Sequence, residues 1–143
     1  MTDSDGPLRL FDALVRCETE LWNAVDTAIR QAGAPPLGSL SALRIIERHV
    51  RTARVQEVAD ELTITVGAAS KIVDRLTRDG LTERLPHPTD RRSSLLGLTD
   101  AGRSALEVGR ASMTATLRDR LETITTAERL EELTRTLETL LRS

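Results

Sequence analysis

The chain reads as mostly α with a small β-wing, a winged helix-turn-helix domain with N- and C-terminal dimerisation helices. Three observations predict it. Residues 55 to 99 run as a short helical segment, a polar turn, a second helical segment ending at Gly80, and a strand–loop–strand whose loop reads Thr89-Asp90-Arg91-Arg92. That order of elements suits a helix lying in the major groove of DNA with a basic loop beside it. Aromatic residues make up only 1% of the chain against 39% hydrophobic overall, so Leu, Ile, Val and Ala must build the core, which favours helix packing. On both sides of the central stretch, apolar residues recur at spacings of three and four.

From Leu8 to about Gln31 two adjacent stripes run along one helix: Leu10, Leu14, Cys17, Leu21, Ala24 and Ala28, and Phe11, Val15, Trp22, Val25 and Ile29. Asp12, Arg16, Glu20, Asn23, Thr27 and Arg30 form the wet side. So wide an apolar arc fits contact with the helix's own domain and with a second subunit. Gly33-Ala-Pro-Pro-Leu-Gly38 breaks this helix, and Ser39 is the expected N-cap of the next, which runs to about Arg51 through Leu43, Ile46 and Val50.

A compact helix is expected from Val55 to Leu62, then the turn Thr63-Ile64-Thr65, then a helix from Val66 to Asp79 closed by Gly80 at C′. Leu81, Glu83 and Leu85 read as a half-buried strand, Pro86 to Asp90 opens a loop, and Ser94 to Leu98 returns. Thr99 begins another helix with Leu106, Met113, Leu117 and Leu121 on its apolar side. A capping box at Thr125 and Glu128 starts the last one, where Leu130, Leu133, Leu137, Leu140 and Leu141 form a seam that needs a partner surface. With 143 residues, no linker and no internal repeat, one domain is expected.

The formal net charge of −2 argues against coating nucleic acid through overall charge. The balance is local. Between Val66 and Ser93, Lys71, Arg75, Arg78, Arg84, Arg91 and Arg92 face four carboxylates, which leaves this stretch at +2 and the remainder at −4. The single Cys17 excludes an intramolecular disulfide, no Cys or His cluster has metal-ligand spacing, and no apolar run reaches transmembrane length. The acidic start, Met1 to Pro7, lacks a signal-peptide pattern, so a cytoplasmic setting without membrane contact is expected. No Gly-rich phosphate loop, activated nucleophile or paired-carboxylate pattern points to an enzyme or a cofactor.

In the helix-turn-helix, Val58, Ala59, Leu62, Ile64, Ala69, Ile72, Val73 and Leu76 can lock the two helices together. The face left over comprises Thr65, Val66, Gly67, Ala68, Ser70 and Lys71, with Arg75 one turn on. Hydroxyls there can bond phosphates or base edges, Ala and Val can meet a thymine methyl, and Lys71, the sole lysine, can reach guanine or phosphate. Arg91 and Arg92, at the turn of the wing, suit an A·T-rich minor groove. Plainer readings are a solvated helix position for Lys71, a surface charge for Arg75 and a solvated basic turn for the wing.

The run Asp90-Arg91-Arg92-Ser-Ser-Leu-Leu-Gly-Leu98-Thr99 resembles the D-x-R-x5-L-T wing signature of the MarR family of bacterial transcription regulators. Val58 to Leu62, Lys71 to Leu76 and Asp79-Gly80-Leu81 are similar to that family at matching positions. The resemblance implies one MarR-like domain over 1–143, with dimerisation helices at about 8–32 and 100–143 and the winged helix-turn-helix at about 39–99. It further implies a homodimeric repressor of a pseudo-palindromic double-stranded DNA operator, relieved by a small ligand. By carry-over, Arg92 would be the minor-groove arginine, and Asp90 would orient the wing by pairing with an arginine. Leu10, Leu14, Leu130, Leu133, Leu137 and Leu140 would lie at the dimer interface.

Some members of the family bind anionic aromatic effectors between the dimerisation helices and the reading head. Trp22 could stack on such a ligand, His49 could bond it and Arg16 could pair with its carboxylate. Core or interface roles for Trp22 and His49, and an exposed ion-pair chain with Asp12 and Glu20 for Arg16, are the simpler accounts. A hydroperoxide-sensing branch uses a cysteine early in the first helix with nearby tyrosines. This chain has no tyrosine, and Cys17 falls later, in a stripe where burial would blunt its reactivity. His87 is expected to be exposed. The competing functions are a winged-helix protein–protein adaptor that does not bind DNA, a thiol-based redox regulator acting through Cys17, and a small enzyme using Cys17 as nucleophile.

Overall fold

The computed structural model describes residues 5–90 and 92–143. The expectations for Met1 to Ser4 and for Arg91 lie outside the described residues. In chain order the elements are α1 (Gly6–Gln31), α2 (Leu37–Arg48), α3 (Val55–Leu62), α4 (Val66–Arg78), β1 (Thr82–Pro86), β2 (Ser94–Leu98), α5 (Asp100–Leu121) and α6 (Ala127–Arg142). This is the mostly helical architecture with a two-stranded wing that the sequence predicts.

Two caps differ from expectation, for the same reason: a neighbouring element satisfies the helix end first. Helix α2 starts at Leu37, ahead of Ser39, because the Asp26 carboxylate of α1 accepts the Leu37 N–H at 2.8 Å. Its other oxygen holds Arg30 Nε at 2.9 Å. The backbone bond pulls the Asp26 pKa below the ordinary carboxylate value, burial opposes it, and the bond and charge of Arg30 add to the lowering. At the far end α2 stops at Arg48, short of Arg51, because the Thr52 and Ala53 N–H groups both turn back to the His49 carbonyl and Arg51 takes a left-handed φ of 65°. Helix α6 is capped by Thr126, whose Oγ1 accepts the Arg129 N–H at 3.3 Å. The expected cap, Thr125, donates its N–H to the Leu121 carbonyl and so belongs to the end of α5.

The core surrounds α2. Leu40, Leu43 and Ile46 meet Val25 and Ile29 of α1, Val58 and Ala59 of α3, Ala69, Val73 and Leu76 of α4, Leu96 of β2 and Leu106 of α5. Each large aliphatic side chain sealed here contributes about 1.5–3 kcal/mol from burial. The strands pair antiparallel with Thr82 opposite Leu98 and Leu85 opposite Leu95, and Leu96 N–H reaches the Ala53 carbonyl, tying the wing to the α2–α3 connection. The sequence pattern put Leu81, Glu83 and Leu85 on the half-buried side. Leu81 and Leu85 are half-buried as expected, but Glu83 is exposed and Thr82 is buried, its hydroxyl meeting the Thr77 hydroxyl at 2.9 Å under the end of α4.

Gly80 takes φ +75° after α4, as its place at C′ requires. Thr99 then anchors α5: its hydroxyl donates to the Gly80 carbonyl at 2.6 Å and accepts the Gly102 N–H at 3.0 Å. A Cβ at Gly102 would lie 1.9 Å from the Leu81 carbonyl oxygen, and one at Gly109 2.5 Å from a Leu40 methyl. Glycine at these two positions lets α5 lie this close to the α4–β1 connection and to α2.

The outer helices are left uncovered within one chain. Leu10, Phe11 and Val15 of α1 and Leu133, Leu140 and Leu141 of α6 are exposed, Leu14, Leu130 and Leu137 are half-buried, and α6 has no buried residue. Cys17, expected in a buried stripe, is exposed, because the N-terminal part of α1 extends past the body and only Val25 and Ile29 of this helix reach the core.

Candidate nucleic-acid interface

Helices α3 and α4 meet through a turn in which Thr63 adopts a left-handed φ of 56° and the Ile64 N–H returns to the Ala59 carbonyl. Val58, Ala59, Ala69, Val73 and Leu76 are buried, with Leu62, Ile64 and Ile72 packed around them. The lock read from the sequence is present. With that side taken, Thr65, Val66, Gly67, Ala68, Lys71 and Arg75 face solvent and Ser70 is half-buried. Thr65 does double duty, because its Oγ1 caps α4 by accepting the Ala68 N–H at 3.1 Å while its hydroxyl proton stays available. Among the described residues neither Lys71 nor Arg75 has a carboxylate partner. The first three turns of α4 thus offer short groups, followed by unneutralised cations, along one exposed face.

The wing loop is organised by its own side chains. His87, expected to be exposed, is half-buried: its Nδ1 accepts the Asp90 N–H at 2.9 Å and the Thr89 N–H at 3.2 Å. Asp90 does not pair with an arginine side chain among the described residues. Its short carboxylate is taken by the turn it sits in, accepting the Arg92 N–H at 2.9 Å and the Ser93 hydroxyl at 3.4 Å. Arg92 itself is exposed.

The residue that joins wing to helix escaped the sequence pattern. Arg84 of β1 donates to Asp74 of α4 at 2.9 Å and to Ser94 of β2 at 3.1 Å. Two residues ten apart carry no periodic signal, so only the fold reveals this bridge. Arg78, seven residues after Lys71 and three after Arg75, lies on the same helix edge.

The three ligand candidates are not brought together. Arg16 pairs with Glu20 at 3.7 Å, both well exposed. Trp22 lines a shallow cleft with Glu18, Thr19 and Asn23 that neither Arg16 nor His49 reaches. His49 ends α2 with its Nε2 on Glu61 of α3, which also holds Arg48 at 2.8 Å. Burial raises the Glu61 pKa, yet the bonds from His49 and Arg48 outweigh it and the net shift is downward. Among the described residues no group of three His, Cys, Asp or Glu side chains converges as a metal site, and no helix is long and apolar enough to cross a membrane.

Residues 36–94, from the cap of α2 to the first residue of β2, match the model of the MarR family. Over this stretch the chain is similar to the MarR family. The match covers α2, the helix-turn-helix and the wing loop, the elements that build the surface just described. The multiple antibiotic resistance protein MarR of Escherichia coli is 39% identical over 51 residues, which are 36% of this chain and 35% of that protein. The chain therefore spans about a third of the length of this curated relative. The likeness over the whole chain is structural. CouR of Rhodococcus jostii bound to p-coumaroyl-CoA superposes with a TM-score of 0.82 at 24% identity, over 96% of this chain and 92% of that one. A transcriptional repressor CouR bound to a 23-mer DNA duplex gives a TM-score of 0.81 at 26% identity, over 96% of both chains. The outer helices thus share the fold of these structures along with the central elements.

Proposed function

We propose that this chain is a sequence-specific DNA-binding transcription regulator, a homodimeric repressor of a pseudo-palindromic operator that is relieved by a small ligand. The observation that carries the reading is the exposed start of α4. Thr65, Val66, Gly67, Ala68, Ser70 and Lys71 present small and hydrogen-bonding groups beside unpaired cations, and Arg92 extends from the adjoining wing. Short side chains let the helix approach base edges, while Lys71, Arg75 and Arg92 contribute attraction to phosphate or to a narrow minor groove. Arg91 belongs to the same proposal through its place in the wing signature.

The homodimer is supported by the apolar groups left open on α1 and α6, with Leu10, Leu14, Leu130, Leu133, Leu137 and Leu140 as the proposed seam. Two-fold symmetry would then set two recognition helices about 34 Å apart, one duplex turn. Ligand relief is supported by the similarity to CouR, which binds p-coumaroyl-CoA. A small anionic aromatic effector is the class we assign, and Trp22, on the exposed side of α1, is the residue best placed to meet it once a second subunit is present.

The test is fluorescence anisotropy of the purified protein on the intergenic DNA beside its own gene, with a shuffled duplex as control, across a salt series. Tight, salt-dependent preference for the intergenic duplex is expected. Lys71→Ala should weaken binding and blunt the preference, whereas Arg92→Ala should weaken it with a shallower salt slope. Equal affinity of both variants and the wild type would remove these two roles. Absence of binding to either duplex would favour an adaptor.

A further inference from the structure

Between α4 and the junction of α1 with α2 runs an open groove of about 780 Å³. One wall carries Lys71, Arg75 and Arg78 along a single edge of α4, over about 10 Å of helix. Pro36, Gly38 and Ser39 at the start of α2 form the other wall, with Arg30 at the end of α1. We propose that this groove receives the phosphate backbone of one strand of bound duplex DNA, with Arg78 and Ser39 holding phosphates beyond the recognition face. The inference rests on the DNA-binding reading above and extends it to residues that reading does not include.

The charges along the groove decide what it can accept. Among the described residues Lys71, Arg75 and Arg78 are in no ion pair, whereas Asp74 is held by Arg84. Among the described residues Asp79 is the one lining carboxylate without a cationic partner, so the free charge along the groove is positive. Arg30 gives its Nε to Asp26, and its side chain remains more than half exposed. Gly38 has open space where a Cβ would be, so a strand can approach the backbone there. Cations spread along a helix edge fit successive phosphates better than one small anion. The groove also shares Lys71 and Arg75 with the reading surface, so a strand entering it would continue from the duplex that α4 reads.

Phosphate contacts act without regard to sequence, so the test uses a labelled mixed-sequence duplex and needs no operator. Binding of the full chain is followed across a salt series for the wild type, Arg78→Ala, Arg78→Lys and Arg92→Ala. Each lost phosphate contact lowers the slope of log affinity against log salt by about 0.9. For Arg78→Ala, the loss of affinity on a fourfold rise in salt should therefore shrink by about 3.5-fold per protomer engaged. Arg78→Lys, which keeps the charge, should stay close to wild type. Arg78 is exposed, so the variant's helical circular dichroism should match wild type. An unchanged slope for Arg78→Ala, on a wild-type protein that does bind, overturns the groove and leaves the DNA reading standing. A wild-type protein that binds no duplex at low salt overturns both.

Discussion

Arg84 of β1 and Asp74 of α4 are joined by an ion pair of 2.9 Å, and through it the wing is tied to helix α4. Both side chains are more than a third exposed, at 39% and 57%, so the pair adds little to global stability. Its effect is positional, because Arg84 also bonds Ser94 and so grips both strands and the helix at once.

Arg84→Ala should therefore leave the melting temperature within about 2 °C of wild type, in keeping with a loss of a few tenths of a kcal/mol, yet weaken DNA binding several-fold. Differential scanning calorimetry and anisotropy on one preparation would separate the effects. A large fall in melting temperature would show the bridge to be structural, and unaltered DNA affinity would show that the wing orients itself without it.

The leucines of α6 make a different prediction. Leu133 is 52% exposed and Leu137 half-buried within one chain, so the fold of the protomer does not depend on sealing them. Replacing both by Asp should give a folded monomer, since burying unpaired charges at the seam would cost several kcal/mol while the core around α2 stays intact. Sedimentation velocity with circular dichroism checks this. A stable dimer would mean that the seam lies elsewhere.

Gly102→Ala should be strongly destabilising, because the new methyl would stand 1.9 Å from the Leu81 carbonyl oxygen, a backbone atom that cannot swing aside. Overpacking of this kind costs about 3 kcal/mol or more. Urea denaturation should show a lower midpoint, with Ala101→Gly as a control for helix propensity. A Cβ at Gly109 would meet side-chain carbons of the buried Leu40 from 2.5 Å, a milder clash than one with backbone at 1.9 Å, so Gly109→Ala should cost less.

Asp26 sets an acid limit on the α1–α2 junction. Its pKa is lowered in the folded chain from a reference of 3.8, chiefly by the Leu37 N–H, so the stability it contributes is complete above that reference. This contribution disappears as pH falls through the folded value. Asp26→Ala should thus cost about 1 kcal/mol at neutral pH, the usual worth of a helix cap, and the gap from wild type should close below pH 3.8. Urea midpoints at neutral pH and near pH 3 would measure it. A gap independent of pH would mean that packing, not charge, accounts for the loss.

The tests on Arg84, Gly102 and Asp26 turn on contacts that a one-dimensional pattern does not contain. The order of helix, turn, helix and wing was legible because every step in it has a local cause: Thr65 caps, Gly80 reverses, Thr99 restarts, and the apolar spacing changes its period between them. Even the lock residues from Val58 to Leu76 could be named, since small and aliphatic groups at helical spacing have few other uses. The caps of α2 and α6 were misplaced because Asp26 and the end of α5 reached those positions from outside the local window. Cys17 was misjudged because apolar spacing reports which face of a helix seeks cover without saying whether its own chain supplies it.

What the sequence determined by itself was the element order, the aliphatic core and the local excess of cations from Val66 to Ser93, all of which follow from residue type and period. Tertiary structure alone decided that Arg84 reaches Asp74, that Asp90 turns inward to its own loop, that Gly102 lies against Leu81, and that Arg78 shares a groove with Ser39. Those pairings depend on where separate elements come to rest. That placement is fixed by the joint packing of α2 against its neighbours, to which every part of the chain contributes a little and no single segment enough.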